Sequence, residues 1–308
     1  MLSRSMLSLI VAALAILFCA APVEVGSRFE NVTVVPTGAQ PAFVVTADLN
    51  GDGATDIAAA NGGANDVSII YGDGFGRFSR PTHVAALPSP HLLATADADD
   101  NGRLDLFVTA HDSNEVVVLL NGEKAFIRRA VTAFSGPGAH NHGLALGDLN
   151  GDGKVDITAG HQDRGSIALL LGDGRGLFRS APQHAVTTGA APYPHALADL
   201  NGDKRLDLAV PAVRGDSVGL FLNAGGSRLT PAATLRTGVA RPFFVAAADF
   251  TGDGHVDLAV NHDDSSKIAI LVNNGKGSFR PAAGSPFDGG ERSWNFAVSD
   301  LNLSLIHI

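Results

Sequence analysis

Five short stretches of the chain gather carboxylates and glycines at a repeated spacing. They read DLNGDGATD (Asp48–Asp56), DADDNGRLD (Asp97–Asp105), DLNGDGKVD (Asp148–Asp156), DLNGDKRLD (Asp199–Asp207) and DFTGDGHVD (Asp249–Asp257). Side chains at positions one, three, five and nine of such a turn can converge on one point, and the carbonyl at position seven can join them. That is a hard-oxygen ligand set suited to Ca²⁺, with water completing the shell. In the first turn the set is Asp48, Asn50, Asp52 and Asp56 with the Ala54 carbonyl. In the second it is Asp97, Asp99, Asn101 and Asp105 with Arg103, and in the third Asp148, Asn150, Asp152 and Asp156 with Lys154. The fourth uses Asp199, Asn201, Asp203 and Asp207 with Arg205, and the fifth Asp249, Thr251, Asp253 and Asp257 with His255. Three carboxylates this close repel one another unless a cation sits among them, and five divalent ions would offset the formal charge of -9.

Two rivals use the same residue types. An EF-hand needs a bidentate Glu at position twelve between two helices. Here position twelve is Ala59, Val108, Ala159, Val210 or Val260, each in an apolar stretch, which excludes it. A plain hairpin turn needs only Asn-Gly or Asp-Gly and no ion. Five copies with one carboxylate spacing favour the metal reading. The sites are not equal: Lys204 replaces the position-six glycine of the fourth turn and should make it the weakest, Thr251 is a poorer ligand than Asn, and Asp99 compensates for Asn101 at position five.

A second group of chemically capable residues lies away from the turns. Six residues ahead of each leading aspartate stand Ala42, His91, His142, Tyr193, Phe243 and Trp294, with His140 and His195 close by. The loops that follow carry His111, His161 and His262. If both sets fall on one face, His91, His142, Tyr193, His195, Phe243 and Trp294 are candidates for a ligand site, where aromatics stack on sugar rings and Arg241 pairs with a carboxylate. The competing reading is that they fill a tapering channel. A third is proton abstraction in a polysaccharide lyase or other carbohydrate-active enzyme, although no nucleophile, base and acid can be assigned. The GDGFG stretch at Gly72–Gly76 precedes a strand and not a helix, so it lacks the helix N-terminus of a phosphate loop. Arg214-Gly215-Asp216 is an adhesion tripeptide by composition only.

The elements that position these residues follow from the repeat. The leading aspartates Asp48, Asp97, Asp148, Asp199, Asp249 and Asp300 recur at near-constant separation, so one unit is repeated, the sixth incompletely. Each unit holds an apolar stretch before the turn (PAFVVTA, RPFFVAAA), a second after it (DIAAA, DLFVTA), a third (VSIIYG, EVVVLLN) and a fourth after a Gly-rich turn (RFSRPTHVAAL). Four short strands per unit make one antiparallel sheet. Sheets repeating at this spacing imply an all-β chain, a β-propeller of four-stranded blades. Residues 28–40 match the fourth stretch and are expected to form a strand that completes the last blade.

The stretch DLNGDGKVDI followed by SIALLLGDGRGLF resembles the FG-GAP or VCBS-type repeat of integrin alpha-subunit propellers and secreted bacterial proteins. The resemblance covers residues 28–302. It implies a propeller with Ca²⁺ held in the loops between first and second strands; from the repeat spacing, six or seven blades are expected in an intact ring. Phe78, Phe178 and Phe279 take the family's aromatic position, whereas Phe126 and Leu229 fit it less neatly.

Residues 1–21 combine Arg4, an apolar run from Met6 to Ala20 and small residues, the pattern of a secretory signal peptide. The run is short for a membrane span. Cys19, the only cysteine, would leave with the signal, so the exported chain has no disulfide. Residues 22–302 form the propeller, and LSLIHI at 303–308 is read as a non-native tail on a fragment. The expected partner is an extracellular protein or polysaccharide. The acidic balance argues against nucleic acid, and nothing after the signal is read as spanning a membrane.

Overall fold

The computed structural model describes residues 33–135, 140–188, 191–290 and 295–298. The signal segment, Trp294, the sixth turn and the tail at 303–308 lie outside them. The described residues form five antiparallel sheets in succession, each in simple up-and-down order. The first contains β1 (Pro41–Ala47), β2 (Asp56–Asn61), β3 (Asp66–Ile70) and β4 (Thr82–Ala85). The second contains β5 (Pro90–Ala96), β6 (Asp105–Ala110), β7 (Glu115–Asn121) and β8 (Phe126–Thr132). The third contains β9 (Asn141–Gly147), β10 (Asp156–His161), β11 (Ser166–Gly172) and β12 (Phe178–Thr187). The fourth contains β13 (Ala196–Ala198), β14 (Asp207–Ala212), β15 (Ser217–Asn223) and β16 (Leu229–Leu235). The fifth contains β17 (Pro242–Ala248), β18 (Asp257–His262), β19 (Lys267–Asn273) and two short outer pieces, β20 (Phe279–Pro281) and β21 (Phe287–Asp288), both paired with β19. First strands of successive sheets contact one another, β1 with β5, β5 with β9, β9 with β13 and β13 with β17, which is the arrangement of propeller blades. No helix among the described residues is long and apolar enough to cross a membrane.

The second strands explain the continuous apolar runs of the sequence. DIAAAN, DLFVTA, DITAGH, DLAVPA and DLAVNH are buried at every residue, and in the three middle sheets a neighbouring blade packs against each face. Alternate residues therefore serve different cores. Leu106 and Val108 join Ala58, Ala60 and Ile69 between the first and second blades. Phe107, one residue away, joins Ile157, Ala159 and Leu170 between the second and third. The outer strands are exposed over most of their length, as in the ieeeeie pattern of FIRRAVT.

The aromatic position is more regular than the sequence suggests. Phe126, Phe178, Leu229 and Phe279 each pair with the last residue of the third strand, Asn121, Gly172, Asn223 and Asn273, and Phe78 pairs with Gly72. Phe126 and Leu229 are thus full equivalents, obscured in the sequence by a shorter turn before Phe126 and a leucine in place of phenylalanine. The expectation for residues 28–40 is not met over its described part: residues 33–40 contain no strand. Gly38 instead donates its N–H to Asn61 Oδ1 and Ser68 Oγ (both 3.1 Å). The carbonyls of Gln40 and Ala39 accept the N–H groups of Gly62 and Gly63 in the loop after β2.

Position nine of each acidic turn is a fully buried aspartate at the head of the second strand. Its two oxygens accept one N–H from turn position two and one from the end of the third strand. Asp56 takes Leu49 and Gly72 (2.9 Å each), and Asp156 takes Leu149 (2.8 Å) and Gly172 (2.9 Å). Asp105, Asp207 and Asp257 repeat the pattern on Ala98 and Asn121, Leu200 and Asn223, and Phe250 and Asn273. A second tie joins neighbouring blades. The amides of Asn121, Asn223 and Asn273 reach the carbonyls of Leu49, Leu149 and Leu200, each at position two of the preceding blade's turn. In the first and third blades this residue is Gly72 or Gly172, where a Cβ would lie 2.3 or 2.2 Å from the position-eight carbonyl.

His195 is also part of this packing. It is buried over Gly143, where a Cβ would stand 2.6 Å from its Nδ1, and its Nε2 lies 2.8 Å from Thr158 Oγ1. Burial pushes its pKa down to about 4.

Two predictions follow from these contacts. Asp156→Ala strands two buried N–H groups and should cost about 2–5 kcal/mol in urea unfolding with chelator present; a loss below about 0.5 kcal/mol would show that the clamp is dispensable. His195 contributes stability above its unfolded pKa of about 6.5, and that contribution is lost as pH falls towards 4, by roughly 3 kcal/mol in full. Asp105 and Asp156, raised to about 6, act with the opposite sign in part of this window. The readout is therefore the difference between wild type and His195→Gln. The variant should lose less stability than wild type between pH 6.5 and 4.5, and parallel curves would refute the assignment.

Candidate functional site

The acidic turns and the histidines lie at opposite ends of the first strands, so the molecule presents two separate candidate sites. In the first turn Asp48 caps its own loop. Its Oδ1 accepts Gly51 N–H (2.7 Å) and Asp52 N–H (3.2 Å), and its Oδ2 accepts Gly53 N–H (2.8 Å). Asp52 accepts Ala54 N–H at Oδ1 and the Asn50 amide at Oδ2 (2.9 Å). The third turn is alike through Asp148, Asn150 and Asp152. Gly53 and Gly153 have φ of +84° and +81°, the left-handed backbone that allows this wrap. Lys204 takes the same conformation in the fourth turn at φ +66°, where a side chain is strained. There Asp203 is also held by Arg205 at 2.5 Å, a cation from its own loop. In the fifth turn Asp249 accepts the N–H groups of Gly252 and Gly254 and pairs weakly with the Thr251 hydroxyl at 3.5 Å.

Position seven was expected to offer a carbonyl. Three of its side chains have another role, folding back over the blade: Arg103 Nε donates to Asn121 O (2.7 Å), Arg205 Nε to Asn223 O (2.8 Å) and Lys154 Nζ to Asp173 O (2.7 Å).

The second turn differs from the others. One carboxylate oxygen from each of Asp97, Asp99 and Asp105 lies within 4.8 Å of the others. Asp99 Oδ1 is buried without a hydrogen-bond partner, the signature of a group that expects an ion or water. Asp105 is fully engaged with two N–H groups, yet each carboxylate oxygen keeps a second lone pair for a metal. Its pKa is raised to about 6 by burial, with Asp99 and Asp97 adding repulsion. A cation would relieve both effects. The residues therefore fit Ca²⁺ best here. The motif shows the carboxylate at position three, but the burial of Asp99 Oδ1 without a partner, which ranks this turn first, is visible only in the structure.

At the other end the backbone aims the side chains. The register of β1 with β2 passes from Pro41↔Asn61 to Phe43↔Ala60, leaving Ala42 as the extra residue of a bulge. His91, His142 and Phe243 are the extra residues at the same place in β5, β9 and β17. Tyr193 follows the Pro192↔Ala212 bridge in the corresponding position. A bulge re-aims a side chain out of the pleat; here the equivalent position in four blades brings four rings into one row at the end of the first strands away from the acidic turns, the mouth. The ring centres of His91 and His142 are 5.2 Å apart, those of His142 and Tyr193 5.1 Å, and those of Tyr193 and Phe243 4.4 Å. His111 lies 4.7 Å from both His140 and His142. Burial, then the neighbouring histidines, pushes His142 down to about 3, and burial lowers His91 and raises Tyr193. His142 is neutral near pH 7.

Not every expected residue joins this wall. His195 lies beneath it in the packing already described. His161 and His262 end the buried second strands, against Phe134 and the Thr237 hydroxyl respectively. His111 reaches the mouth because it stands one residue past that strand-end position. Arg241 is paired with Asp263 and does not stand free for an incoming carboxylate. Asp216 of the Arg-Gly-Asp stretch accepts Arg241 N–H (3.0 Å), and Asp73 of the GDGFG stretch accepts its own loop's N–H groups from Phe75 and Arg77.

Comparison with known proteins agrees with this architecture. The family model described as "FG-GAP-like repeat" matches residues 48–108, 97–159, 148–210 and 249–303, together more than half of the chain. No curated protein matches. Among solved structures, a putative 6-phosphogluconolactonase from Bacteroides fragilis is similar at 16% identity and a TM-score of 0.64, over 85% of this chain and 75% of its own. A counterpart from Bacteroides uniformis gives 16% and 0.64 over 87% and 77%. A lectin from Agrocybe aegerita gives 21% and 0.55 over 78% of this chain and 65% of its own, so the chain spans just under two thirds of that protein. At these identities the likeness is one of fold. The chain belongs to the FG-GAP-like repeat family, and its fold is a β-propeller.

Proposed function

We propose that this propeller is an exported interaction module that binds Ca²⁺ in its acidic turns and presents its histidine- and aromatic-lined mouth to a protein or polysaccharide. The observation that carries the calcium reading is the second turn, where Asp97, Asp99 and Asp105 converge around the unpartnered Asp99 Oδ1. The ion would hold the loop between first and second strands against carboxylate repulsion. The fourth turn, with Lys204 at φ +66° and Asp203 paired to Arg205, would bind most weakly. Export is supported by the N-terminal sequence, and a disulfide-free exported chain gains from ions that bind only its folded state.

The recognition half rests on the tilted rings of His142, Tyr193 and Phe243, a platform on which a sugar ring or an aromatic side chain can stack. The lectin of similar fold, described for recognition of non-reducing terminal N-acetylglucosamine, supports a glycan as the first ligand class to try.

Thermal melts of the full chain with millimolar Ca²⁺ and with chelator test the first half. A site with a dissociation constant near 10⁻⁴ M should stabilise the fold by roughly 1.4 kcal/mol at 1 mM. Asp99→Asn should remove part of that gain and leave the chelated melt almost unchanged. Identical melts with Ca²⁺ and chelator would refute calcium binding. A glycan array tests the second half: retention that Tyr193→Ala and Phe243→Ala abolish supports the mouth as the site, whereas release of shortened or unsaturated sugars would make the protein a carbohydrate-active enzyme.

A further inference from the structure

The geometry points to a second metal site of different chemistry, at the mouth and independent of the calcium reading: His111, Asp112 and His140 hold a divalent transition ion such as Zn²⁺. One ligand atom from each of the three lies within 4.8 Å of the others. The residues come from two blades. His111 and Asp112 follow β6, and His140 precedes β9, so the site staples the second blade to the third.

Three features separate this cluster from a chance meeting of polar side chains. First, the ring spacing fits a shared ion. With metal–nitrogen bonds of about 2.1 Å, imidazole centres on one ion lie about 4.5–5.2 Å apart at angles of roughly 90–110°. His111 and His140 are 4.7 Å apart with planes at 73°. Second, His140 is already oriented as a ligand. Its Nδ1 lies 2.5 Å from Asp163 Oδ2, which leaves Nε2 for the ion in the carboxylate–histidine–metal pattern. Third, the buried side of the cluster is unfinished. His142 is 93% buried, its ring centre is 4.7 Å from His111 and 5.9 Å from His140, and neither of its nitrogens has a hydrogen-bond partner. A water on the ion would supply that partner. Two imidazoles and one carboxylate with open positions suit a borderline d-block ion, whereas the oxygen-only turns suit Ca²⁺. The ligands are within reach of solvent, with the His111 and Asp112 side chains 42% and 66% exposed, so an ion can enter.

The test is calorimetric titration of the metal-stripped full chain with Zn²⁺, in saturating Ca²⁺ so that the acidic turns do not compete. One strong site per chain is expected. His111→Ala and His140→Ala should each weaken it at least tenfold, and Asp163→Asn about tenfold by releasing the His140 ring. Binding should persist in Asp99→Asn, which is altered only in the acidic turn. Co²⁺ in place of Zn²⁺ should give visible absorption that His111→Ala abolishes. Circular dichroism and melts in Ca²⁺ establish that each variant is folded. Absence of a strong site in the wild type, or equal affinity in folded His111→Ala, would overturn the assignment. Loss of Zn²⁺ binding in Asp99→Asn would overturn its independence from the acidic turns. Failure of the calcium melts leaves this test unaffected, because the two sites share no residue.

Discussion

A carboxylate with no exposed surface begins the second strand of every sheet, and the blades are organised around it. Asp56, Asp105, Asp156, Asp207 and Asp257 each join turn position two, their own strand and the end of the third strand through two N–H···O bonds. A buried carboxylate is costly unless its acceptor capacity is used, and once it is used, removing it orphans two donors. The same interaction fixes where the acidic loop closes. It also sets the third-strand end at which Asn121, Asn223 and Asn273 reach the preceding blade. Loop conformation, blade register and blade-to-blade contact therefore share one residue type at one spacing.

This clamp leaves the two ends of the first strands unequal. At the turn end, backbone N–H groups crowd around carboxylates, and left-handed glycines constrain the loop sequence. At the mouth end, a one-residue bulge recurs among the described residues. It presents a side chain without specifying which, so Ala42, His91, His142, Tyr193 and Phe243 occupy equivalent places. One end conserves a geometry through the repeat while the other varies its chemistry from blade to blade. That division is how a repeat fold acquires a particular binding surface without losing its architecture.

Much of this was legible in the amino-acid order, and the remainder was hidden for identifiable reasons. Period, strand count and blade architecture follow from apolar stretches punctuated by acidic, glycine-containing turns, because both signals are local. The equivalence of Phe126 and Leu229 to Phe78, Phe178 and Phe279 was blurred by turn length and became clear only from pairing. The dual role of position nine, as clamp and candidate ligand, needs the third strand, sixteen residues away, to be in place. Gly72 and Gly172 alternate with Asn121, Asn223 and Asn273 at one register position, a signal present in the sequence whose meaning depends on the neighbouring blade. The histidines were visible as a group. Which of them meet depends on a one-residue offset: His161 ends a strand and packs inward, whereas His111 is one step further and turns to the mouth.

That offset also decides how ions would be sorted across the molecule. The acidic turns offer oxygen alone, and their carboxylates are partly neutralised by their own backbone N–H groups, which suits a large, weakly directional cation. The mouth pairs two imidazoles with the Asp112 carboxylate, and Asp163 steers one ring from behind. Calcium gains little from imidazole, and a borderline transition ion gains more from nitrogen than from oxygen. On the proposed assignments the two ends would be loaded independently from a mixed supply of ions. An ion at His111, Asp112 and His140 would also bring a polar, water-bearing centre beside the His142–Tyr193–Phe243 platform. A bound glycan or peptide would then meet an apolar stacking surface and a directional ligand site within one mouth, a combination that aromatic rings alone do not provide.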